Sequence, residues 1–204
     1  MSSREPPPSL RERRKARTRA AIQTHALALF RKQGYQATTI DQIINAAEVS
    51  ETTFFRYFPT KEDLVLQDDL DPLIVAAVTA QPADTPPLDA IRAAVRAAFD
   101  SLTAAQRQEF RDRVSLIIVE PALRAAMLDQ LSRAIQLLAD PIAARAGRPR
   151  DDLAVRTIAG AAIGAMMAAM AALADDPTAD LADTIDQALG HLAAGLRLPA
   201  PGHL

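Results

Sequence analysis

The stretch ALALFRKQGYQATTIDQIINAAEVSETTFFRYFPTKEDLV, residues 26–65, decides how the chain reads. Thr39 is followed three positions on by Gln42, the spacing at which a hydroxyl caps the backbone of a helix and an amide returns to cap the hydroxyl's own residue. A short helix therefore opens there and runs through Ile43, Ile44 and Ala47. After a break at Glu48 and Val49, Ser50 caps a further helix, ETTFFRYF, which Pro59 ends. Thr60 and Asp63 make a similar start for a helix over about residues 61–80. Upstream, Ile22, Ala26, Leu29 and Phe30 fall on one stripe of a first helix that begins near Arg11 and that Gly34 ends. Three short helices with capped breaks predict a helix-turn-helix arrangement.

On a helical wheel Phe54 and Phe58 lie about 40° apart and face the core, whereas Thr52, Phe55 and Arg56 point away. An outward aromatic, a guanidinium and a hydroxyl on a short helix suit the DNA major groove. Arginine bonds guanine edges bidentately there, and apolar groups meet thymine methyls. Thr53 and Tyr57 sit at the rim, within reach of phosphate oxygens, and Lys61 with the free N–H groups of the next helix offers another phosphate anchor. The plain alternative makes these aromatics core and the basic residues merely solvated; an outward Phe55 beside Arg56 then serves no structural purpose.

Charge divides the chain in the same place. Residues 1–61 hold 11 Lys and Arg against 5 Asp and Glu, a net +6, whereas residues 62–204 hold 12 against 20, a net -8. The sharpest concentration is Arg11, Arg13, Arg14, Lys15, Arg17 and Arg19. A cationic head on an anionic body fits a polyanion at one end only, since phosphate neutralisation supplies most sequence-independent DNA affinity.

Of the 204 residues 49% are hydrophobic and 24% charged, enough to build a core and stay soluble. The lack of cysteine removes disulfides and thiolate chemistry and fits a reducing cytosol. His25, His191 and His203 are scattered, and there is no glycine-rich phosphate loop or paired-histidine metal motif, so neither an enzyme nor a metal or other cofactor is expected. Basic residues at the N-terminus without an apolar run behind them do not make a secretory signal, and a cytoplasmic protein is expected. Residues 153–174, LAVRTIAGAAIGAMMAAMAALA, have the length of a membrane span. Their alanine content, Arg156 and the flanking aspartates favour a soluble helix packed closely on a partner.

No strand pattern is present. After the PADTPP linker, Leu88, Ile91, Val95, Phe99 and Leu102 mark a fifth helix. Phe110, Val114 and Ile117 mark a sixth that stops before Pro121, and Leu123, Met127, Leu131, Ile135 and Leu138 a seventh, kinked at Pro141. The alanine-rich segment and a final helix through Leu181, Ile185, Leu189, Leu192 and Leu196 complete an all-α chain of about nine helices. The expected division is an arm at 1–9, a head at 10–60 and a body at 61–198.

The combination of Phe30, Gly34-Tyr35, Thr38-Thr39, Ile43, Val49-Ser50 and FFRYFPTKEDL resembles the tetracycline-repressor (TetR) family from about Arg14 to Leu66. The resemblance implies Thr39 at a phosphate, Ser50, Glu51, Thr52, Thr53, Phe55 and Arg56 at the bases, and Tyr57 and Lys61 back on phosphates. Arg14 and Arg17 join them as expected DNA contacts. Two positions depart from the family pattern: Glu48 stands where a turn glycine is usual, and Ile44 where a small alanine is usual. The family also implies a homodimer built on the last two helices, here with Gly160, Gly164, Ala168, Ile185, Leu189 and Leu192 at the interface, and a roughly palindromic double-stranded DNA operator. It implies a small-molecule effector in the body as well, for which the candidate lining is Phe99, Phe110, Leu116, Met127, Leu131, Met166 and Met170. The stretch EFRDRVSLIIVEPALRAAMLDQL is similar to the body of regulators of the mycofactocin-system type, which implies an apolar or acyl-CoA-like effector. Arg107, Arg111 or Arg113 could then meet ligand phosphates, although surface ion pairing is the simpler role. A ligand-responsive repressor is the expected function; an activator of the same family, or a helical adaptor using its basic arm on anionic membranes, are the alternatives.

Overall fold

The computed structural model describes residues 9–67, 70–176 and 178–196. The expected arm over 1–9 therefore lies outside the described residues except for Ser9, as does the end of the body beyond Leu196. Ten α-helices and no strand occur among the described residues, and they fall into two compact units that divide after Gln67.

The first unit holds α1 (Leu10–Gln33), α2 (Ile40–Ala46), α3 (Glu51–Tyr57) and α4 (Asp63–Leu66). Ser9 belongs to the fold, since its hydroxyl accepts from the Glu12 amide while the Glu12 carboxylate accepts from the Ser9 amide at 2.7 Å. The buried stripe of α1 is Ile22, Gln23, Ala26, Leu27 and Phe30; Leu29, expected in it, is only half-buried, and Leu27 takes the place. Around these pack Ile43, Phe54, Phe58, Leu64 and Val65.

The single helix expected over 61–80 is corrected to two, which accounts for the tenth. Gln67 is extended after α4, and α5 starts at Leu70. The break is held from α1: the Gln23 side-chain amide donates to the carbonyls of Leu64 at 3.3 Å and Gln67 at 2.6 Å, taking up acceptors that a continuing helix would use. With Leu64 and Val65 buried, α4 packs on α1, and the first unit reaches seven residues beyond Thr60.

The second unit comprises α5 (Leu70–Ala80), α6 (Pro87–Asp100), α7 (Ala104–Val119), α8 (Pro121–Ala146), α9 (Leu153–Ala172) and α10 (Leu181–Ala193). One core runs through all six, from Leu70 and Val78 through Ile91, Phe99, Val114, Leu138 and Ala159 to Leu189. The helix α8 continues through Pro141 as far as Ala146. Among the described residues α9 is the one helix long and apolar enough to cross a membrane, with a mean hydropathy of 1.6. It packs on α8 and α10, with Val155, Ala159, Ala162 and Ala169 buried and Gly164 and Ala168 exposed.

Two long-range devices tie these helices together. The Arg145 guanidinium donates to four backbone carbonyls, those of Val78, Gln81, Pro82 and Thr85, and so fastens the α5–α6 linker to the end of α8. Arg92 forks onto Asp186, both contacts 3.1 Å, joining α6 to α10.

Candidate nucleic-acid interface

The turn between α2 and α3 forms although it lacks a glycine. Glu48 adopts the left-handed conformation, φ 52°, while the amides of Glu48 and Val49 return to the carbonyls of Asn45 and Ile44. Thr39 and Gln42 make the expected capping box, and a residue not anticipated braces it: the Gln33 side-chain amide donates to Gln42 Oε1 at 2.7 Å and to Thr38 Oγ1 at 3.2 Å. Ser50 caps α3 by accepting from the Thr53 amide at 3.1 Å, and its own hydroxyl meets Thr53 Oγ1 at 2.8 Å.

From that start α3 turns its faces as the wheel requires. Phe54 and Phe58 are fully buried, Glu51, Thr52 and Arg56 are exposed, and Thr53 and Tyr57 are half-buried. Phe55 is 40% exposed, a large ring left in water where burial would be worth about 2 kcal/mol. It stands edge-on to Phe54, with centroids 5.3 Å apart and planes at 90°, so the core holds the ring in place. The Arg56 guanidinium lies over the Tyr57 ring at 5.2 Å. Arg14 and Arg17 are exposed on α1.

Lys61, expected as a phosphate anchor, is half-buried just ahead of α4. Its ammonium donates to the Tyr35 carbonyl at 2.5 Å and lies 4.1 Å from the Tyr35 ring centroid. Tyr35 is itself buried, and its hydroxyl donates to Glu62 at 3.1 Å. Lys61 thus pins the α1–α2 connection to the start of α4. Arg19, from the basic run, also turns inward, over Phe58 at 5.5 Å and toward Gln67. Gln23, Gln33, Tyr35 and Glu62 support the interface without lying on it. Of these, the sequence marked Tyr35, within the Gly34-Tyr35 pair, and gave no local signal for Gln23 and Gln33, whose partners lie outside any cap or stripe.

In the second unit the expected effector residues do not all meet. Phe99 and Phe110 stack edge to face at 5.3 Å beside an open cleft of about 230 Å³ that Arg96, Arg107 and Arg111 line together with Asp100, Asp180 and Asp183. Met166 and Met170 pack on the core from α9, whereas Leu116, Met127 and Leu131 are half-buried on α7 and α8 and do not line that cleft. Arg113 is buried and pairs with Glu109 at 2.6 Å, and Arg107 donates to the Leu102 carbonyl. Of the expected dimer residues, Gly164 and Ala168 are exposed and Gly160 and Leu192 half-buried. Ile185 and Leu189 are corrected: they are 4% and 0% exposed within the chain's own core, where α10 packs on α6 and α9, and present no surface to a second copy.

A basic helix ahead of a capped helix-turn-helix, whose second helix leaves an aromatic and a guanidinium outside, defines a DNA-binding transcription regulator. Residues 22–67 match the family model of bacterial regulatory proteins of the tetR family, and residues 85–197 match the MftR C-terminal domain. The chain belongs to the TetR family of transcriptional regulators, which are not enzymes. It is 35% identical to the HTH-type transcriptional regulator TcmR of Streptomyces glaucescens over 152 residues, 71% of this chain and 67% of that one. It is 26% identical to MftR of Mycobacterium tuberculosis, named for mycofactocin biosynthesis, over 90% of this chain and 93% of that one. Among solved structures it is similar to FadR of Thermus thermophilus, a TetR-family repressor in complex with lauroyl-CoA. The TM-score is 0.56 at 26% identity, covering 91% of this chain and all of the other.

Proposed function

We propose that the chain is a cytoplasmic, ligand-responsive repressor that binds a palindromic operator as a homodimer and releases it when a small apolar or acyl-CoA-like effector binds the body. The observation that carries this reading is the outer face of α3, where Thr52, Phe55 and Arg56 stand exposed on a helix whose other side is fully buried. Such a face meets base edges and phosphates together, with Arg14, Arg17, Thr39 and Tyr57 on the backbone to either side. The positive charge of the first 61 residues supports it.

Dimerisation is supported by the small exposed residues of α9. A Cβ added at Gly164 meets no atom within 4 Å inside the chain, so the helix surface there is open to a close-packing partner. A two-fold dimer sets its recognition helices about 34–36 Å apart, which is why the operator should be palindromic. The effector class is supported by the similarity to FadR of Thermus thermophilus, whose structure is a complex with lauroyl-CoA, and by the aromatic pair Phe99–Phe110 at the edge of a cleft in the body.

The test is fluorescence anisotropy on duplex DNA from the chain's own promoter region at two salt concentrations. The expected result is salt-dependent binding that Arg56→Ala with Tyr57→Ala abolishes while the oligomeric state persists. Unchanged binding by that double variant would sink the assignment of α3. For the effector, saturating lauroyl-CoA should raise the thermal midpoint, since a ligand at 100 times its Kd adds about 2.7 kcal/mol. The absence of any shift with acyl-CoAs removes that class.

A further inference from the structure

We infer that the first two turns of α1, Leu10–Arg17, complete their helix only against the phosphates of duplex DNA, so that operator affinity depends on helix formation in this segment as well as on its charge. The inference rests on the proposed DNA-binding role and adds a folding step to it.

The helix α1 outruns its own core. Its first buried residue is Ile22, twelve positions after Leu10, and every residue from Leu10 to Arg17 is exposed. At 1.5 Å per residue, about 18 Å of helix lies ahead of the buried stripe. Most helical stability in proteins comes from packing an apolar face, and these turns pack none. Charge opposes the helix as well. Residues 10–21 carry Arg11, Arg13, Arg14, Lys15, Arg17 and Arg19 against Glu12 alone. Three or four positions separate Arg11 from Arg14 and Lys15, Arg17 from Arg13 and Arg14, and Lys15 from Arg19, and like charges at that spacing disfavour a helix.

What favours the helix is its start. The Ser9 hydroxyl accepts from the Glu12 amide at 3.2 Å, and the Glu12 carboxylate accepts from the Ser9 amide at 2.7 Å. This cap fixes where the helix begins, and the buried half of α1 supplies its nucleus, so only the turns between them are in balance. Neutralising the cations tips that balance. A duplex does so by giving up condensed counterions to the arginines and the lysine. A bilayer is the poorer partner. On a helical wheel Arg11, Lys15 and Arg19 continue the line of the buried stripe and Arg13, Arg14 and Arg17 lie opposite, which leaves no apolar face to enter lipid.

Two substitutions alter the helix and leave the charge untouched, Ala16→Gly in the exposed turns and Ser9→Ala at the cap. Their binding is measured by fluorescence anisotropy on a duplex selected by the full-length chain out of a random library. Each is expected to weaken binding about fivefold, the worth of one glycine in a helix or of one lost cap, with salt slope and thermal midpoint as in wild type. Hydrogen exchange supplies the second readout. In the unbound chain the amides of Arg14 to Arg17 are expected to exchange close to the rate of an unstructured peptide, and to slow on the duplex. Amides already protected in the unbound chain, or either variant binding as tightly as wild type, overturn the folding step. Protection gained on phosphatidylserine–phosphatidylcholine vesicles and not on the duplex overturns the choice of DNA. A chain that binds no duplex at low salt defeats the DNA-binding reading itself, a separate failure from these.

Discussion

Two residues of the head carry backbone conformations with opposite fitness for their side chains. Gly34 ends α1 at φ 86° and ψ 156°, a region that side-chain-bearing residues scarcely enter, although a Cβ there would touch nothing within 4 Å. Gly34→Ala should therefore destabilise the head by about 1–3 kcal/mol through backbone strain alone. Glu48 is the converse, a residue with a Cβ held at φ 52° in the turn ahead of α3. Glu48→Gly should stabilise the head by up to about 1 kcal/mol, the relief of left-handed strain less the extra chain entropy of glycine. Urea unfolding of both variants checks the pair, and a Glu48→Gly midpoint below wild type would show that the glutamate side chain contributes something beyond its backbone.

Between elements, single polar side chains make the ties that hold the second unit in register. Arg145 bonds three carbonyls of the α5–α6 linker and that of Val78 at the end of α5, and a lysine offers a point charge in place of that planar fork. Arg145→Lys should cost about 2 kcal/mol, read as a lower midpoint in a calorimetric scan. The tie between α6 and α10 responds to pH. The bonds from Arg92 hold the Asp186 carboxyl below the ordinary 3.8, burial opposes them, and the nearby charges of Arg92 and Arg96 add to the depression. A depressed carboxylate stabilises the fold above its unfolded value, and that contribution is lost as the pH falls through the lower native one. Stability measured between pH 7 and pH 2 should accordingly fall less steeply below about pH 4 in Asp186→Asn than in wild type; parallel acid limbs would mean that the fork adds nothing.

At the scale of the whole molecule, the proposed dimer places its demands on the open side of α9. Gly164 is exposed and has room for a side chain within the protomer, so Gly164→Leu should fold normally and weaken only the association of two copies. Light scattering should report a shift from twice the chain mass of 21.9 kDa toward once, and helical circular dichroism should be retained. A Gly164→Leu chain that stays dimeric would move the interface elsewhere. Operator affinity should fall with the dimer, because a single head engages one half-site.

Local signals in the chain were enough for the class. The all-helical fold, the caps at Thr39 and Ser50, the inward Phe54 and Phe58 and the outward Phe55 all follow from hydrogen bonds and side-chain spacings within four residues, which the linear order encodes directly. The charge division needed no fold either. Tertiary structure alone decided where long polar side chains go and which apolar faces are spent internally. Gln23 reaches Gln67 and breaks the expected fourth helix, Lys61 turns onto Tyr35, Arg145 gathers a linker some 60 residues away, and Ile185 and Leu189 are consumed by the chain's own core. An amphipathic stripe states that a face will be buried and leaves the partner open. A flexible cation or amide likewise takes whichever carbonyl or ring the packed helices bring within about 3 Å of it, and that neighbour is set by contacts distant in sequence.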